Sequence, residues 1–426
     1  MVSARAYPEW LEGWWVRQAC HRAHTTDAEA ALARHTGAVQ KLSDLFTVDR
    51  PVPDKSAPPA RTHFPDYGAD AELAVAYGLF FFPQNFVRAR LPLAEAIEFR
   101  GWRPLGENVA RPVRMLDLGA GAGAAGLGAA TLLRERGLAG EVHLTSVDRS
   151  SDSLALLTTL VRENAAHRPG LRVRAVAQNA LEWVQRELPR TEAPFDLIVV
   201  GFALNELLPA SLGLGPRLEL AGQLRRVLAP QGLLLILEPS LHETAGPLQQ
   251  LSDALCARAP VSTAPALPRW GPYLSEHACP LRAEGKFWNH EVRRWTAPGS
   301  LTFLNRKLWR EIGELRFAYA LHGLDAPPAL PEAYAASAKE PNGLTLRLVS
   351  PFHLRKGGFV AAGVATDGVK YTLDLPIRGL PKDEIVRLGQ IERGDILALR
   401  DLKLLGTPRL LRLPTPSSIA ARYHPE

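Results

Sequence analysis

From Val113 onward, short apolar runs alternate with stretches of helical periodicity, the pattern of a doubly wound parallel sheet. The apolar runs predict strands at 113–118, 141–147, 171–177, 195–201 and 232–238, with helices filling most of the gaps. The first run has the character of a strand buried on both faces. Ahead of it, residues 1–50 read as one or two helices carrying Trp10, Trp14 and Trp15, rings expected to pack against a neighbour. The stretch RPVPDKSAPPARTHFPDYG cannot stay helical. Residues 70–101 then predict a helix pair broken or kinked at Pro83, with Phe80–Phe82 in the core. LRFAYALHGL (315–324) and GLTLRLVSPF (343–352) predict an antiparallel strand pair closing the parallel sheet. Over 354–415 strand-like runs alternate with turns, and Asp367-Gly368 is a hairpin signal. That pattern predicts a small all-β module of the oligonucleotide-binding barrel type. The expected organisation is a helical region 1–110, an α/β domain 111–352 with an insertion at 259–310, and a β-rich module 353–426.

The chemistry concentrates in residues 111–126, RPVRMLDLGAGAGAAG. Asp117 ends the first strand, and Gly119, Gly121, Gly123 and Gly126 lead into a helix of small residues. Glycines let the backbone turn sharply and let a ligand approach without a Cβ in the way. The helix start offers free N–H groups and a positive dipole end. Two registers coexist: Gly121, Gly123 and Gly126 fit the dinucleotide spacing G-x-G-x-x-G, while Gly119, Gly121 and Gly123 fit G-x-G-x-G. A carboxylate at Asp117 would repel a pyrophosphate but suits the ammonium of a methionine moiety. The stretch resembles the first motif of S-adenosylmethionine-dependent methyltransferases. Asp148 ends the second strand at an offset from the glycines close to that at which an acid meets ribose hydroxyls. Ser150 or Ser151 can cap the helix that follows, which leaves Asp148 for a ligand. Asn179 is placed either to hydrogen-bond an adenine edge or to cap a helix. Asn205 and Glu206, in GFALNELL, stand at the pocket rim. The candidate cofactor set is Asp117, Gly119, Ala120, Gly121, Gly123, Asp148, Arg149, Asn179, Ala180, Phe202 and Asn205.

At 426 residues the chain is long enough for two or three domains, and 46% apolar with 22% charged residues is a globular composition. No apolar run reaches the roughly 18 residues that span a bilayer. The start, MVSARAYPEWLEGWW, lacks the apolar core of a secretory signal. Three cysteines at unrelated spacings argue against a disulfide framework, so a cytoplasmic protein without membrane association is expected. The net charge of +6 is unevenly placed: residues 281–310 and 341–426 each carry +5. Positive charge gathered there suits contact with a polyanion. Only nine of the fifty basic residues are lysines, however, an arginine bias that genome composition also produces. Within the insertion, Arg282, Lys286, Arg293 and Arg294 interleave with Phe287, Trp288 and Trp295, a mixture suited to phosphate contact and base stacking. The alternative is that the aromatics are buried and only the arginine heads are solvated. Arg355 and Lys356 complete the candidate RNA-binding set. His277, Cys279 and His290 lack the paired spacing of a zinc site, and no metal is expected.

Taken together, the chain resembles the small-ribosomal-subunit methyltransferase-like family, a mitochondrial small-subunit assembly factor and its bacterial relatives. The resemblance runs through AYGLFFFPQNFVRARLPLAEAI, MLDLGAGAGAAG, FDLIVVGFALNEL, ILEPS, HACPL, LRFAYALHGL, RLVSPFHLRKGGFVAAGV and ERGD. It implies a Rossmann-like class I methyltransferase fold, S-adenosylmethionine at Asp117, Gly119, Gly121, Gly123 and Asp148, and small-subunit ribosomal RNA as partner, with no DNA. Members with several cysteines around the CPL segment are associated with an iron–sulfur cluster. Here only Cys279 matches, with Asn289 near a missing ligand, so no cluster is expected. The tetrapeptide N-P-P-[FY] of amino-methylating enzymes is absent, no cysteine is placed for attack on cytosine, and no catalytic residue is assigned. The leading expectation is methyl transfer at small-subunit ribosomal RNA, and the alternative is a non-catalytic assembly factor. A nicotinamide oxidoreductase, resting on the overlapping glycine register, is a distant third.

Overall fold

The computed structural model describes residues 2–46, 65–106, 111–190, 193–257, 266–285 and 288–425. The parallel strands form as expected: β1 (Val113–Leu118), β2 (Val142–Asp148), β3 (Leu171–Ala177), β4 (Phe195–Gly201) and β5 (Leu228–Glu238). β5 starts earlier than its apolar run, at Leu228, where it pairs with Phe195. Three more strands, β6 (Arg269–Gly271), β7 (Glu291–Arg294) and β8 (Glu314–Gly323), complete an eight-stranded sheet of order β3-β2-β1-β4-β5-β8-β6, with β7 also on β8. β8 runs antiparallel to β5. The strand order reverses between β1 and β4, which opens a crevice beyond their carboxyl ends.

The N-terminal residues form three helices, α1 (Glu9–Arg22), α2 (Ala28–Arg34) and α3 (Thr36–Phe46), and then one continuous helix, α4 (Ala71–Glu98). The expected break at Pro83 does not occur: Pro83 and Pro92 both lie inside α4. An internal proline costs about 3 kcal/mol. Burying Phe80, Phe82 and Phe86 on that helix, at about 1.5–3 kcal/mol each, outweighs it. Trp15 lies against Gly78, where a Cβ would sit 2.0 Å from its ring. The helix after β1, α5 (Ala124–Glu135), approaches α4 so closely that a Cβ at Gly128 would lie 2.3 Å from the Phe86 carbonyl oxygen. Trp14, Trp15, Phe82, Met115 and Leu132 thus belong to one core, which the described N-terminal helices share with the first sheet.

The second strand of the expected antiparallel pair goes elsewhere. β9 (Leu344–Leu348) lies in a second eight-stranded sheet with β10 (His353–Arg355), β11 (Gly358–Ala365), β12 (Lys370–Pro376), β13 (Ile396–Leu399), β14 (Lys403–Leu405), β15 (Thr407–Arg412) and β16 (Ile419–Tyr423). Its order is β14-β15-β12-β11-β9-β13-β16, with β10 on β11. The boundary between the two sheets therefore falls between β8 and β9, ahead of the expected 352/353. Apolar alternation marks a strand without naming its neighbours. Asp367-Gly368 forms the β11–β12 turn, with Gly368 at φ 79°. Among the described residues the edge strands β14 and β16 do not pair with each other, so the sheet is open and lacks the closure of the expected barrel.

Candidate cofactor-binding site

After Asp117 the chain turns through Gly119, Gly121 and Gly123 at φ 75°, 52° and 85°, and α5 begins. A Cβ at Gly119 would lie 2.3 Å from Ala203, so close approach as well as dihedral angle demands glycine. Gly126 serves Asp117 from inside α5: its N–H donates to Asp117 Oδ2 at 3.0 Å, and a Cβ there would crowd the same oxygen at 2.5 Å. Asp117 is 1% exposed, and its Oδ1 has no hydrogen-bond partner among the described residues. Burial pushes its carboxyl up to about 7; the Gly126 N–H opposes this and the nearby Asp148 charge adds to it. An orphaned, buried carboxylate oxygen is costly unless a ligand donor meets it.

Asp148 is held by two backbone donors, Gly121 N–H to Oδ2 and Ser150 N–H to Oδ1, both at 2.8 Å. Burial raises its pKa, with the Ser150 and Gly121 N–H groups opposing. The next helix, α6 (Ser151–Glu163), is capped by Ser150 Oγ, which accepts from Ser153 N–H. Asn179 caps α7 (Ala180–Arg186) by accepting from Leu181 N–H at 3.0 Å and Glu182 N–H at 3.3 Å, and it also lines the cavity described next. The two readings of this residue are therefore compatible.

A cavity of about 350 Å³ opens at the switch point, within the range of small-molecule sites. Of the expected cofactor residues, Asp117, Gly119, Ala120, Gly121, Asp148, Arg149, Asn179, Ala180 and Phe202 line it. Gly123 and Asn205 do not. Gly123 packs under Leu157, where a Cβ would lie 2.5 Å away. Asn205 N–H donates to Glu238 Oε1, and its Oδ1 accepts from Arg217; the adjacent Glu206 lines the cavity instead. Phe202, at φ 62°, is a strained non-glycine residue at the end of β4.

Helices in the position of residues 70–101 often roof the cofactor pocket in methyltransferases, but sequence reasoning named no residue of that opposite wall. Phe46, Tyr67, Tyr77, Phe81, Asn85 and Arg88 line the cavity from the N-terminal region. Tyr77, Phe81, Asn85 and Arg88 recur at helical spacing on one face of α4, a pattern legible in the sequence. Of the Phe80–Phe82 run, Phe80 and Phe82 are buried and Phe81 faces the cavity. Tyr67 stacks on Tyr77, with ring centroids 5.4 Å apart.

Residues 111–296 match the family model described as a methyltransferase domain. The match covers less than half of the chain, and no curated protein matches it. Among solved structures, a SAM-dependent methyltransferase from Agrobacterium tumefaciens is 17% identical, over 57% of this chain and 63% of that one, at TM-score 0.32. A putative class I S-adenosylmethionine-dependent methyltransferase from Listeria monocytogenes is 10% identical, over 76% of this chain and 91% of that one, at TM-score 0.35. A SAM-dependent methyltransferase from Thiobacillus denitrificans, in complex with S-adenosyl-L-homocysteine, is 21% identical over 37% and 48%, at TM-score 0.24. The chain thus spans less than two thirds of the first and third of these proteins. The glycine turn and the unpartnered oxygen of Asp117 fit S-adenosylmethionine.

The basic and aromatic segment around β7 is built differently from a stacking platform. Arg293 is buried, bonded to Glu291 at 2.9 Å and Asp395 at 2.7 Å, and is therefore out of reach of RNA. Trp295 is buried, its Nε1–H donating to the Ile312 carbonyl, and half-buried Trp288 donates to the Ser240 carbonyl. Arg282 pairs with Asp253. Arg294, Arg355 and Lys356 are exposed, while Lys286 and Phe287 lie outside the described residues. Cys279 is buried against Tyr273, and its N–H donates to Asp253. His277 is exposed and the Trp288 carbonyl accepts from His290 Nδ1, and among the described residues the three candidate metal residues do not converge. Among the described residues no helix is long and apolar enough to cross a membrane.

Proposed function

We propose that this protein transfers methyl groups from S-adenosylmethionine to small-subunit ribosomal RNA, in ribosome assembly or translation. The single observation that carries the cofactor reading is Asp117, whose buried Oδ1 lacks a partner beside a glycine turn that leaves room for a ligand. Asp117 would hold the ammonium of the methionine end, Asp148 the ribose hydroxyls, and Asn179 with Ala180 the adenine. When bound, the cofactor supplies a methyl group on a positively charged sulfur. The protein's part is binding, orientation and exclusion of water. The glycine turn fixes one wall, and the rings of Tyr67, Tyr77 and Phe81 form the other, so an acceptor is confined rather than activated by a base.

The ribosomal partner is supported by the motif resemblance and by exposed basic residues. Arg355 and Lys356 stand exposed at the β10–β11 turn of the second sheet, and Arg294 is exposed on β7. A non-catalytic assembly factor is the alternative, favoured by one observation: both oxygens of Asp148 already accept backbone N–H groups. Transfer of labelled methyl to immature small subunits from a strain lacking the protein separates the readings. Label in ribosomal RNA, lost with Asp117→Asn, is the expected result. Particle binding without label would establish the assembly factor, and absence of particle binding would remove the ribosomal assignment.

A further inference from the structure

Three arginines line the cavity: Arg88, Arg149 and Arg316. Arg149 is exposed, and Arg316, also exposed, pairs with Glu314 at 3.1 Å. Arg88 is different. It projects from the middle of α4, and no carboxylate lies within salt-bridge distance of it among the described residues. Its two hydrogen bonds go to neutral oxygens, Asn85 Oδ1 at 2.9 Å and Gln84 Oε1 at 3.0 Å, and its buried Nε–H meets no acceptor. Burial pulls the guanidinium down to about 10. A cation withdrawn from water without a counter-charge is costly, and a guanidinium fork with unused donors suits a carboxylate.

The surroundings say where that carboxylate would sit. The guanidinium lies over the Phe202 ring, 5.6 Å from its centroid. Phe202 precedes Ala203, the residue in contact with the Gly119 turn that follows Asp117. Tyr77 lies within electrostatic reach of both Asp117 and Arg88, and its hydroxyl accepts from Asn85 Nδ2, the side chain that also holds Arg88. Among the described residues, an unmatched carboxyl and an unmatched cation therefore line one cavity, both within electrostatic reach of Tyr77. A free amino-acid terminus, with an ammonium and a carboxylate on one carbon, matches that pair.

We propose that Arg88 is the anchor for the carboxylate of the amino-acid end of S-adenosylmethionine, opposite Asp117. This rests on the cofactor reading above and extends it to a residue outside the glycine motif. The test is calorimetric titration of the full-length protein with three ligands. These are S-adenosylmethionine, decarboxylated S-adenosylmethionine (ammonium kept, carboxylate absent) and methylthioadenosine (amino-acid end absent). The wild type should bind S-adenosylmethionine at least tenfold more tightly than the decarboxylated form. In R88Q that preference should vanish while methylthioadenosine binds as in the wild type, and R88K should keep part of it. Should R88Q fail to fold, the wild-type preference and its partial retention in R88K carry the test. Equal wild-type affinity for the two sulfonium ligands, or a preference that R88Q leaves intact, overturns the proposal. No binding of any of the three to the wild type would instead overturn the cofactor reading itself.

Discussion

The residue that decides most is Asp117. A carboxyl raised from 3.8 to about 7 by burial keeps its proton in the folded chain where the unfolded chain has released it. Its contribution to stability is therefore fully present below pH 3.8 and lost as pH rises through about 7. Asp117→Asn keeps an acceptor for the Gly126 N–H but removes the ionisation. Thermal unfolding followed from about pH 5 to 8 should show a smaller loss of stability in the variant. Binding has the opposite sign. An ammonium ligand prefers ionised Asp117, so affinity for S-adenosylmethionine should climb between about pH 5.5 and 7, an interval in which an α-amino group stays protonated. In Asp117→Asn the climb should be absent and affinity lower throughout. Arg293 teaches the converse lesson at this scale. In sequence it is one of a run of basic residues; in the fold it is consumed by Glu291 on its own strand and by Asp395 beside β13.

At the scale of elements, β1, β4 and β5 were readable because strands buried on both faces leave nearly unbroken apolar runs. The glycine turn and the acids ending β1 and β2 were readable because their chemistry is local. What was not readable is long-range. Nothing in GLTLRLVSPF states that its strand pairs with β11 and β13 instead of closing the first sheet. Pro83 looked like a helix break because the cost of a proline is local, whereas the burial that overrides it comes from α1 and α5. The residues of the cavity wall on α4 were not named although Tyr77, Phe81, Asn85 and Arg88 share a helical face, because its partner surface lies on other strands. The close approach of α4 and α5 makes its own prediction. Gly128→Ala would place a methyl 2.3 Å from the Phe86 carbonyl, backbone that cannot swing aside. A loss of about 1–3 kcal/mol, measured by denaturant unfolding, is expected.

At the scale of the whole molecule, the two sheets are joined by a buried ion-pair chain. Arg347 on β9 binds Glu95 of α4 at 2.6 Å and Glu291 of β7 at 2.9 Å; Arg293 then links Glu291 to Asp395, beside β13. Removing one member leaves buried charge unpaired. Arg347→Met should cost about 3–5 kcal/mol, read as a fall in the unfolding midpoint. Burial alone would raise the Asp395 carboxyl, but the His424 hydrogen bond and the charges of Arg293, His424 and Arg422 hold it down at about 2. Its contribution is present above pH 3.8 and lost as pH falls toward 2, so acid should weaken the second sheet's attachment over that interval. α4 takes part in both places: it supplies one wall of the cavity and also Glu95 of this ion-pair chain.

The central claim is that the cavity beyond β1 and β4 holds S-adenosylmethionine through Asp117 and Asp148. Equilibrium dialysis of labelled S-adenosylmethionine against the full-length protein, with Asp117→Asn and Asp148→Ala alongside, tests it most directly. One ligand per chain for the wild type, with affinity reduced about tenfold or more in each variant, is the predicted result, the loss of a charge-assisted contact being worth about 1.5–3 kcal/mol. Saturable binding that neither substitution weakens would place the ligand elsewhere and contradict the account.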